Sequence, residues 1–172
     1  MSQEKNIIRD MTAENYDASD QPFDFVEEGR STAMICEPDD LVRSRASNQL
    51  KELGFLVTEV KTSRDALIKM RYHIYDVIMV NELFDCVEPD SNLVLAFLEE
   101  LPMQVRRRIF VVLTGCGFRT MDNMTAFNRS VNLTINLDNM EEAGDILSRG
   151  VAENQAFYQV FIGVLERVET RY

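Results

Sequence analysis

The 172-residue chain contains no tryptophan, a single histidine and only three cysteines. With His73 as its only imidazole, the sequence shows no pairing of a nucleophile with a base, which argues against an enzyme. Cys36, Cys86 and Cys116 form no CxxC motif, and their odd number argues against a framework of disulfide bonds. These scarcities favour a protein that works without catalysis.

Long apolar runs are also missing from the chain. No stretch approaches the ~20 consecutive apolar residues that a transmembrane helix needs. Residues 1–15 lack the basic start and the apolar centre of a secretory signal. We therefore expect a soluble, cytoplasmic protein with no membrane partner.

Basic residues are few, since 18 Lys and Arg face 29 Asp and Glu, for a net charge of −11. An acidic surface repels phosphate backbones, so nucleic acid is not an expected partner. The basic cluster Arg106–Arg108 could bind an anion. Such a run is more typical of a solvated helix end, where cations complement the carbonyl dipole.

Charge and apolar pattern divide the chain into three parts. Residues 1–30 are acidic and predict a mobile arm that ends in the apolar segment 22–26, which could dock on the body. Residues 31–148 carry regular patterns and predict the main domain. Residues 149–172 predict a helical extension.

Within the main domain, apolar runs alternate with helix-like segments. Strands are predicted near residues 33–36, 55–60, 76–80, 109–113 and 133–137. A helix is predicted over residues 120–131, with the apolar stripe Met121, Met124, Phe127 and Val131. The alternation predicts an α/β fold, a doubly wound five-stranded parallel sheet with helices on both faces.

Polar side chains follow several of the predicted strands. The carboxyl ends of parallel strands share one edge, where the functional crevice of such sheets lies. The candidate residues at this edge are Glu37, Asp39, Asn81, Glu82, Thr114 and Asn136. We expect these side chains to converge.

From about Thr32 to Leu147 the sequence resembles a response-regulator receiver domain of the CheY-like, flavodoxin-like type. The resemblance rests on four stretches in order: MICEPDD, LKELGFLVTEVKTSRDALIKM, YDVIMVNE and IFVVLTG. It implies the strand order 2-1-3-4-5. It also implies Mg²⁺-binding acids after the first strand, a phosphorylated aspartate after the third, Thr or Ser after the fourth and a lysine after the fifth.

Position by position, the resemblance is incomplete. Glu37 stands at the first acid, but Pro38 stands at the second, and Asn81 replaces the phosphorylated aspartate. Thr114 matches, whereas no lysine lies near Asn136. Phosphoryl transfer needs an anionic nucleophile, a metal and a cation on the transferred oxygens. The resemblance therefore implies a degenerate pseudo-receiver with no cofactor, or at most weak Mg²⁺ binding.

Three other interpretations of this edge stay open. Glu82 or Asp85 could be a displaced phosphate acceptor. The three cysteines could meet at the edge as a soft-metal or redox site, although cysteine is often simply a buried residue. The segment 114–117 could be a phosphate-binding nest, although two glycines without a P-loop lysine are more typical of a flexible turn.

The predicted extension carries an apolar stripe at helical spacing. It comprises Phe157, Val160, Phe161, Val164, Leu165 and Val168. Burial of each large side chain is worth ~1.5–3 kcal/mol, so we expect the stripe to be covered. The chain's own segment 22–26, a second copy in a homodimer or another protein could cover it.

Together these features predict a stand-alone, bacterial-type signalling adaptor that binds a protein partner of a two-component or phosphorelay pathway. The predicted contact residues are Met121, Met124, Phe127, Phe157, Phe161, Val164, Leu165 and Val168. The alternative is a phosphorylatable response regulator that uses the displaced acid Glu82 or Asp85.

Overall fold

The computed structural model describes the backbone of residues 30–169 and the side chains of residues 30–159. The acidic arm predicted for residues 1–30 lies, apart from Arg30, outside the described residues. So do the side chains of Phe161, Val164, Leu165 and Val168 in the predicted contact surface.

Strands and helices alternate along the described chain. The strands are β1 (Thr32–Cys36), β2 (Leu56–Val60), β3 (Val77–Asn81), β4 (Phe110–Gly115) and β5 (Leu133–Asn136). The helices are α1 (Asp40–Glu52), α2 (Ser63–Tyr72), α3 (Leu93–Glu100), α4 (Met103–Arg106), α5 (Asn123–Asn128) and α6 (Ala143–Glu169). Short 3₁₀ turns occupy Pro89–Ser91 and Leu137–Asn139.

The five strands form one parallel sheet in the order β2-β1-β3-β4-β5. This arrangement confirms the predicted flavodoxin-like fold. In this register Asn81 at the end of β3 lies beside Thr114 of β4. Because all strands run in one direction, the polar residues near their carboxyl ends meet at one edge of the sheet.

Two apolar cores lie on opposite faces of the sheet, because successive strand residues point to opposite sides. On one face Met34, Val80 and Leu113 pack with Phe84 and Leu98. On the other, the cluster contains Ile35, Met79 and Val112 from the strands together with Leu50 and Leu147 from the helices. Helices thus cover both faces, which explains why the strands lack polar alternation.

Helix α5 differs from the sequence prediction, which extended it over residues 120–131. It spans only Asn123–Asn128 because Asp122 caps its first turn and Met121 has a positive φ of 59°. The N–H of Met121 donates to the carbonyl of Thr134 in β5, which ties the residue to the sheet. A positive φ of 53° at Ser130 follows the other end of the helix.

Helix α6 runs without interruption from Ala143 to Glu169, across the predicted boundary at residues 148 and 149. A Cβ at Gly150 would lie 3.2 Å from both Leu133 and Phe110, so glycine allows the helix to approach the sheet closely.

Arg106 joins the segments that precede β4 and β5, because its guanidinium donates to the carbonyls of Ile109 and Ser130. Within the described part of the chain, no helix combines the length and the apolar character needed to span a membrane.

Candidate functional site

The centre of the candidate site is the side-chain amide of Asn81, the last residue of β3. The apolar run before it forms the middle strand of the sheet, so Asn81 is only 5% exposed. Its neighbours are Glu37, the first residue after β1, and Thr114 in β4, both buried. Three buried polar side chains therefore lie where three adjacent strands end.

These three side chains are joined by hydrogen bonds. The Nδ2 of Asn81 donates to Oε2 of Glu37 at 2.8 Å, and Oγ1 of Thr114 donates to the same oxygen at 3.5 Å. The Oδ1 of Asn81 accepts from the backbone N–H of Leu83 at 2.9 Å. Both ends of the amide are therefore occupied within the protein.

Glu37 supplies the single carboxylate of this cluster. Burial raises the pKa of Glu37, whereas its hydrogen bond with Asn81 and the backbone N–H of Asp39 oppose the shift. The Asp39 N–H donates to Oε1 at 3.2 Å. A carboxylate removed from water is stabilised here by three donors rather than by a cation.

The side chain of Asp39 does not join this cluster. Its Oδ1 accepts from the backbone N–H groups of Leu41 and Val42 and thus caps α1. The neighbouring cation Arg43 binds the backbone and an exposed acid. Its Nη1 donates to the carbonyl of Glu37 at 2.7 Å, and its Nη2 forms an ion pair with Asp40. The first loop thus contributes one carboxylate, not two, to the buried cluster.

Asn92 is a residue of the site that the sequence interpretation missed. It is 1% exposed, and its Nδ2 donates to the carbonyls of Asn81 at 3.0 Å and Glu82 at 3.3 Å. Its Oδ1 accepts from the N–H groups of Val94 and Leu95 and caps α3. An asparagine just before an apolar helix is a sequence signal for a helix cap. It gives no signal for the hydrogen bond to β3.

Glu82 turns away from the buried cluster. Its Oε1 accepts from the backbone N–H groups of Cys116 at 3.1 Å and Gly117 at 3.3 Å, in the loop after β4. The segment 114–117, interpreted from sequence as a flexible turn, thus presents two N–H groups to one carboxylate. Asp85, the other candidate acceptor, uses Oδ2 to accept from the N–H of Ser63 at 2.8 Å.

Asn136 at the end of β5 holds the loop after β4 from its other side. Its Nδ2 donates to the carbonyl of Phe118 at 2.6 Å, and its Oδ1 accepts from the N–H of Asp138 at 2.9 Å. The side chain is neutral, and these bonds connect backbone segments. It offers no cation to a transferred phosphoryl group.

The three cysteines are in different environments. Cys36 is buried, Cys86 is half-buried and Cys116 is exposed. Burial raises the pKa of Cys36 and of Cys86, so both favour the unreactive thiol at neutral pH. Among the residues described, no group of three or more His, Cys, Asp or Glu side chains could hold a metal ion.

The predicted contact residues that can be assessed are exposed. Phe127 and Met124 of α5 are 80% and 68% exposed, Met121 is 41% exposed, and Phe157 of α6 is 78% exposed. Helical spacing alone does not distinguish a core stripe from a surface stripe, and these three side chains lie at the surface. Apolar side chains with this exposure are a feature of interaction surfaces when they lie in a contiguous patch.

Comparison with known proteins gives a consistent result for the fold. No protein-family model and no curated protein matches the sequence. Among solved structures, the signal receiver domain of a signal transduction histidine kinase from Syntrophus aciditrophicus aligns with a TM-score of 0.56 at 17% identity, over 73% of this chain and 90% of that chain.

Two further structures give the same answer. An orphan response regulator of H. pylori aligns with a TM-score of 0.54 at 15% identity, over 70% of this chain and 96% of that one. The chemotaxis response regulator CheY4 of Vibrio cholerae aligns with a TM-score of 0.52 at 14% identity, over 70% and 98%. The chain thus has the fold of response-regulator receiver domains.

Proposed function

We propose that this protein is a non-catalytic signalling adaptor, a pseudo-receiver that acts by binding other proteins and is not phosphorylated at the usual position. The observation that carries the proposal is the buried amide of Asn81, whose Nδ2 donates to Glu37 and whose Oδ1 accepts from Leu83. An amide oxygen has no full charge and forms no acyl phosphate.

The surroundings of Asn81 support the same conclusion. Glu37 is the one carboxylate of the buried cluster, and a hard cation such as Mg²⁺ prefers several oxygen ligands. Pro38 contributes no side-chain ligand, and Asn136 contributes no cation. Nucleophile, second acid and lysine are absent together, so phosphoryl transfer would lack three of its requirements at once.

The second candidate function is a phosphorylatable response regulator that uses Glu82 or Asp85. Each of these acids already has one oxygen bound to backbone N–H groups, Glu82 to the loop after β4 and Asp85 to the start of α2. Phosphorylation of the other oxygen would leave a neutral carbonyl in place of a carboxylate as the acceptor, which weakens that contact. This cost favours the adaptor.

The surface proposed to contact a partner is the α5–β5–α6 face, defined here by Met121, Met124, Phe127 and Phe157. Exposed apolar side chains of this size are candidates for interface contacts. The outer half of α6, with Phe161, Val164, Leu165 and Val168, is proposed to extend this surface or to pair with a second copy in a homodimer. The protein is proposed to be cytoplasmic.

Affinity capture from a lysate of the source organism tests the adaptor function. The wild-type chain is expected to retain the same partner with and without a small-molecule phosphodonor and Mg²⁺. The double substitution Met124→Asp with Phe127→Asp should abolish retention, whereas Leu41→Asp, which alters an apolar residue 81% exposed on α1, should preserve it. Retention that appears only after the phosphodonor is added would favour the response-regulator alternative.

A further inference from the structure

The loop after β4 presents two backbone N–H groups to one carboxylate oxygen. Oε1 of Glu82 accepts from Cys116 at 3.1 Å and from Gly117 at 3.3 Å. Successive N–H groups that converge in this way form an anion-binding nest. Its occupant comes from the same chain, from the residue directly after the buried Asn81.

The packing around this carboxylate shows that the position is built for it. A Cβ at Gly115 would overlap with Oε1 of Glu82 and lie 2.5 Å from its Cδ and 2.9 Å from its Cγ. Gly115 is therefore the residue that leaves space for the glutamate side chain. A Cβ at Gly117 would lie 3.6 Å from both carboxylate oxygens, which is an ordinary contact.

Further hydrogen bonds hold the backbone of Glu82 and the backbone of the loop after β4 in place. The N–H of Glu82 donates to the carbonyl of Thr114 at 2.8 Å, and its carbonyl accepts from Asn92 at 3.3 Å. On the loop side, Nδ2 of Asn136 donates to the carbonyl of Phe118 at 2.6 Å. The glutamate and the nest thus face each other from anchored backbone segments.

We propose that the N–H groups of Cys116 and Gly117 form an oxyanion-binding site that the chain fills with its own Glu82 carboxylate. The ligand class is a small oxyanion, a carboxylate or a phosphate. Glu82 occupies the site permanently and holds the loop between β4 and α5 in the geometry of an anion-bound nest.

This inference deepens the proposed function and depends on it for its biological meaning. The loop leads directly to Met121 and to the Asp122 cap of α5, which connects it to the exposed Met124 and Phe127. An internal carboxylate would keep that surface in one arrangement without an external phosphoryl group. The site itself can be tested without any partner.

The test uses the amide resonances of Cys116 and Gly117 in the full-length, ¹⁵N-labelled protein, titrated with inorganic phosphate. In Glu82→Ala the nest is vacated, and we expect both amides to shift saturably with phosphate. In the wild type, Glu82 competes with phosphate. Because hydrogen bonds to charged groups contribute about 1.5–3 kcal/mol, the wild-type affinity should be at least ~10-fold weaker.

A pair of glycine variants tests the space at the nest. Gly115→Ala places a Cβ where Oε1 of Glu82 lies, so it should exclude both the Glu82 carboxylate and phosphate, and neither amide should shift saturably. Gly117→Ala leaves the space for Glu82 intact and should behave like the wild type.

Three results would overturn the proposal. The first is saturation of both amides in the wild type at the same phosphate concentration as in Glu82→Ala. The second is the absence of any phosphate response in folded Glu82→Ala. The third is a saturable phosphate response of both amides in folded Gly115→Ala, whose Cβ fills the position of the anion. None of these results bears on whether Asn81 is phosphorylated, so the inference and the proposed function fail separately.

Discussion

At the scale of single residues, the site is defined by what an amide can do in place of a carboxylate. Asn81 donates one hydrogen bond to Glu37 and accepts another from Leu83, so it stabilises a buried charge instead of adding a second one. An aspartate at residue 81 could not donate this bond when ionised. Two carboxylates in contact do not both ionise without a large cost.

The substitution Asn81→Asp should therefore lower the free energy of unfolding at about pH 7, by about 3 kcal/mol, because a buried charge loses its partner. The loss should shrink as the pH falls toward about 5 and one of the two acids takes up a proton. Urea denaturation at both pH values measures this. Asn48→Asp, the same change at an exposed position of α1, should stay within about 0.5 kcal/mol of the wild type.

A stability loss that is equal at both pH values would contradict the proposed contact between residue 81 and Glu37. So would a loss at Asn48→Asp as large as that at Asn81→Asp.

Asn92 gives a second prediction at this scale. Asn92→Ala removes a helix cap worth ~1 kcal/mol and one of the two donors to the buried carbonyl of Asn81, which keeps the N–H of Phe84; the lost bond is worth ~0.5–1.5 kcal/mol. We expect a total loss of about 1.5–2.5 kcal/mol in the free energy of unfolding, measured with urea. Asn123→Ala, at an exposed position of α5, is the matched control and should change little.

At the scale of elements, the strands were predicted well and the helix near residue 125 was not. Val77 to Val80 form an uninterrupted apolar run of strand length, which is typical of a strand covered on both faces. Helix α5 was predicted too long because Met121, Met124 and Phe127 recur at helical spacing. Spacing gives no information on whether a stripe faces a core or solvent, and the positive φ at Met121 has no signature in a methionine.

The cap of α5 has a pH dependence that can be measured. Hydrogen bonds from Thr125, from its backbone N–H first and then its hydroxyl, lower the pKa of Asp122 from its ordinary value of 3.8. A carboxyl whose pKa is lower in the folded state contributes stability above the unfolded value and loses it as the pH falls through the folded one. Asp122→Ala should thus be less stable than the wild type at about pH 7, and the difference should shrink below pH 3.8.

Chemical denaturation of both proteins across this pH range checks the prediction. A difference that grows as the pH falls would contradict the assigned cap.

Substitutions on the exposed face of α5 should leave the stability of the fold almost unchanged. Met124 and Phe127 are 68% and 80% exposed, so their removal costs the fold little apolar burial. The variant with Met124→Asp and Phe127→Asp should keep its free energy of unfolding within about 1 kcal/mol of the wild type. A loss of several kcal/mol would mean that these side chains are core residues.

At the scale of the whole molecule, the order of strands and loops could be predicted from sequence, whereas the side-chain partners at the sheet edge could not. The edge residues were found because parallel strands end together. Their partners depend on side-chain direction: Glu82 follows Asn81 in sequence but turns to the loop after β4, and Asp39 caps α1 instead of joining Glu37. Asn92 contacts β3 from a loop whose sequence gives no sign of that bond.

The fold is shared with two response regulators and with the receiver domain of a histidine kinase, at identities of 14–17%. At such low sequence identity the comparison establishes the fold alone, and the chemistry has to be inferred from the residues at the site. In this chain those residues hold a strand-end amide, a single buried carboxylate and a self-occupied nest. Each of these features favours a fixed binding surface over a phosphorylation cycle.

The most direct test is the intact mass of the protein after incubation with a small phosphodonor and Mg²⁺, beside a receiver domain that retains its aspartate as a positive control. The account predicts that the control gains one phosphoryl group and that the mass of this protein does not change. A stable gain of one phosphoryl group, whether on residue 81, Glu82 or Asp85, would contradict it.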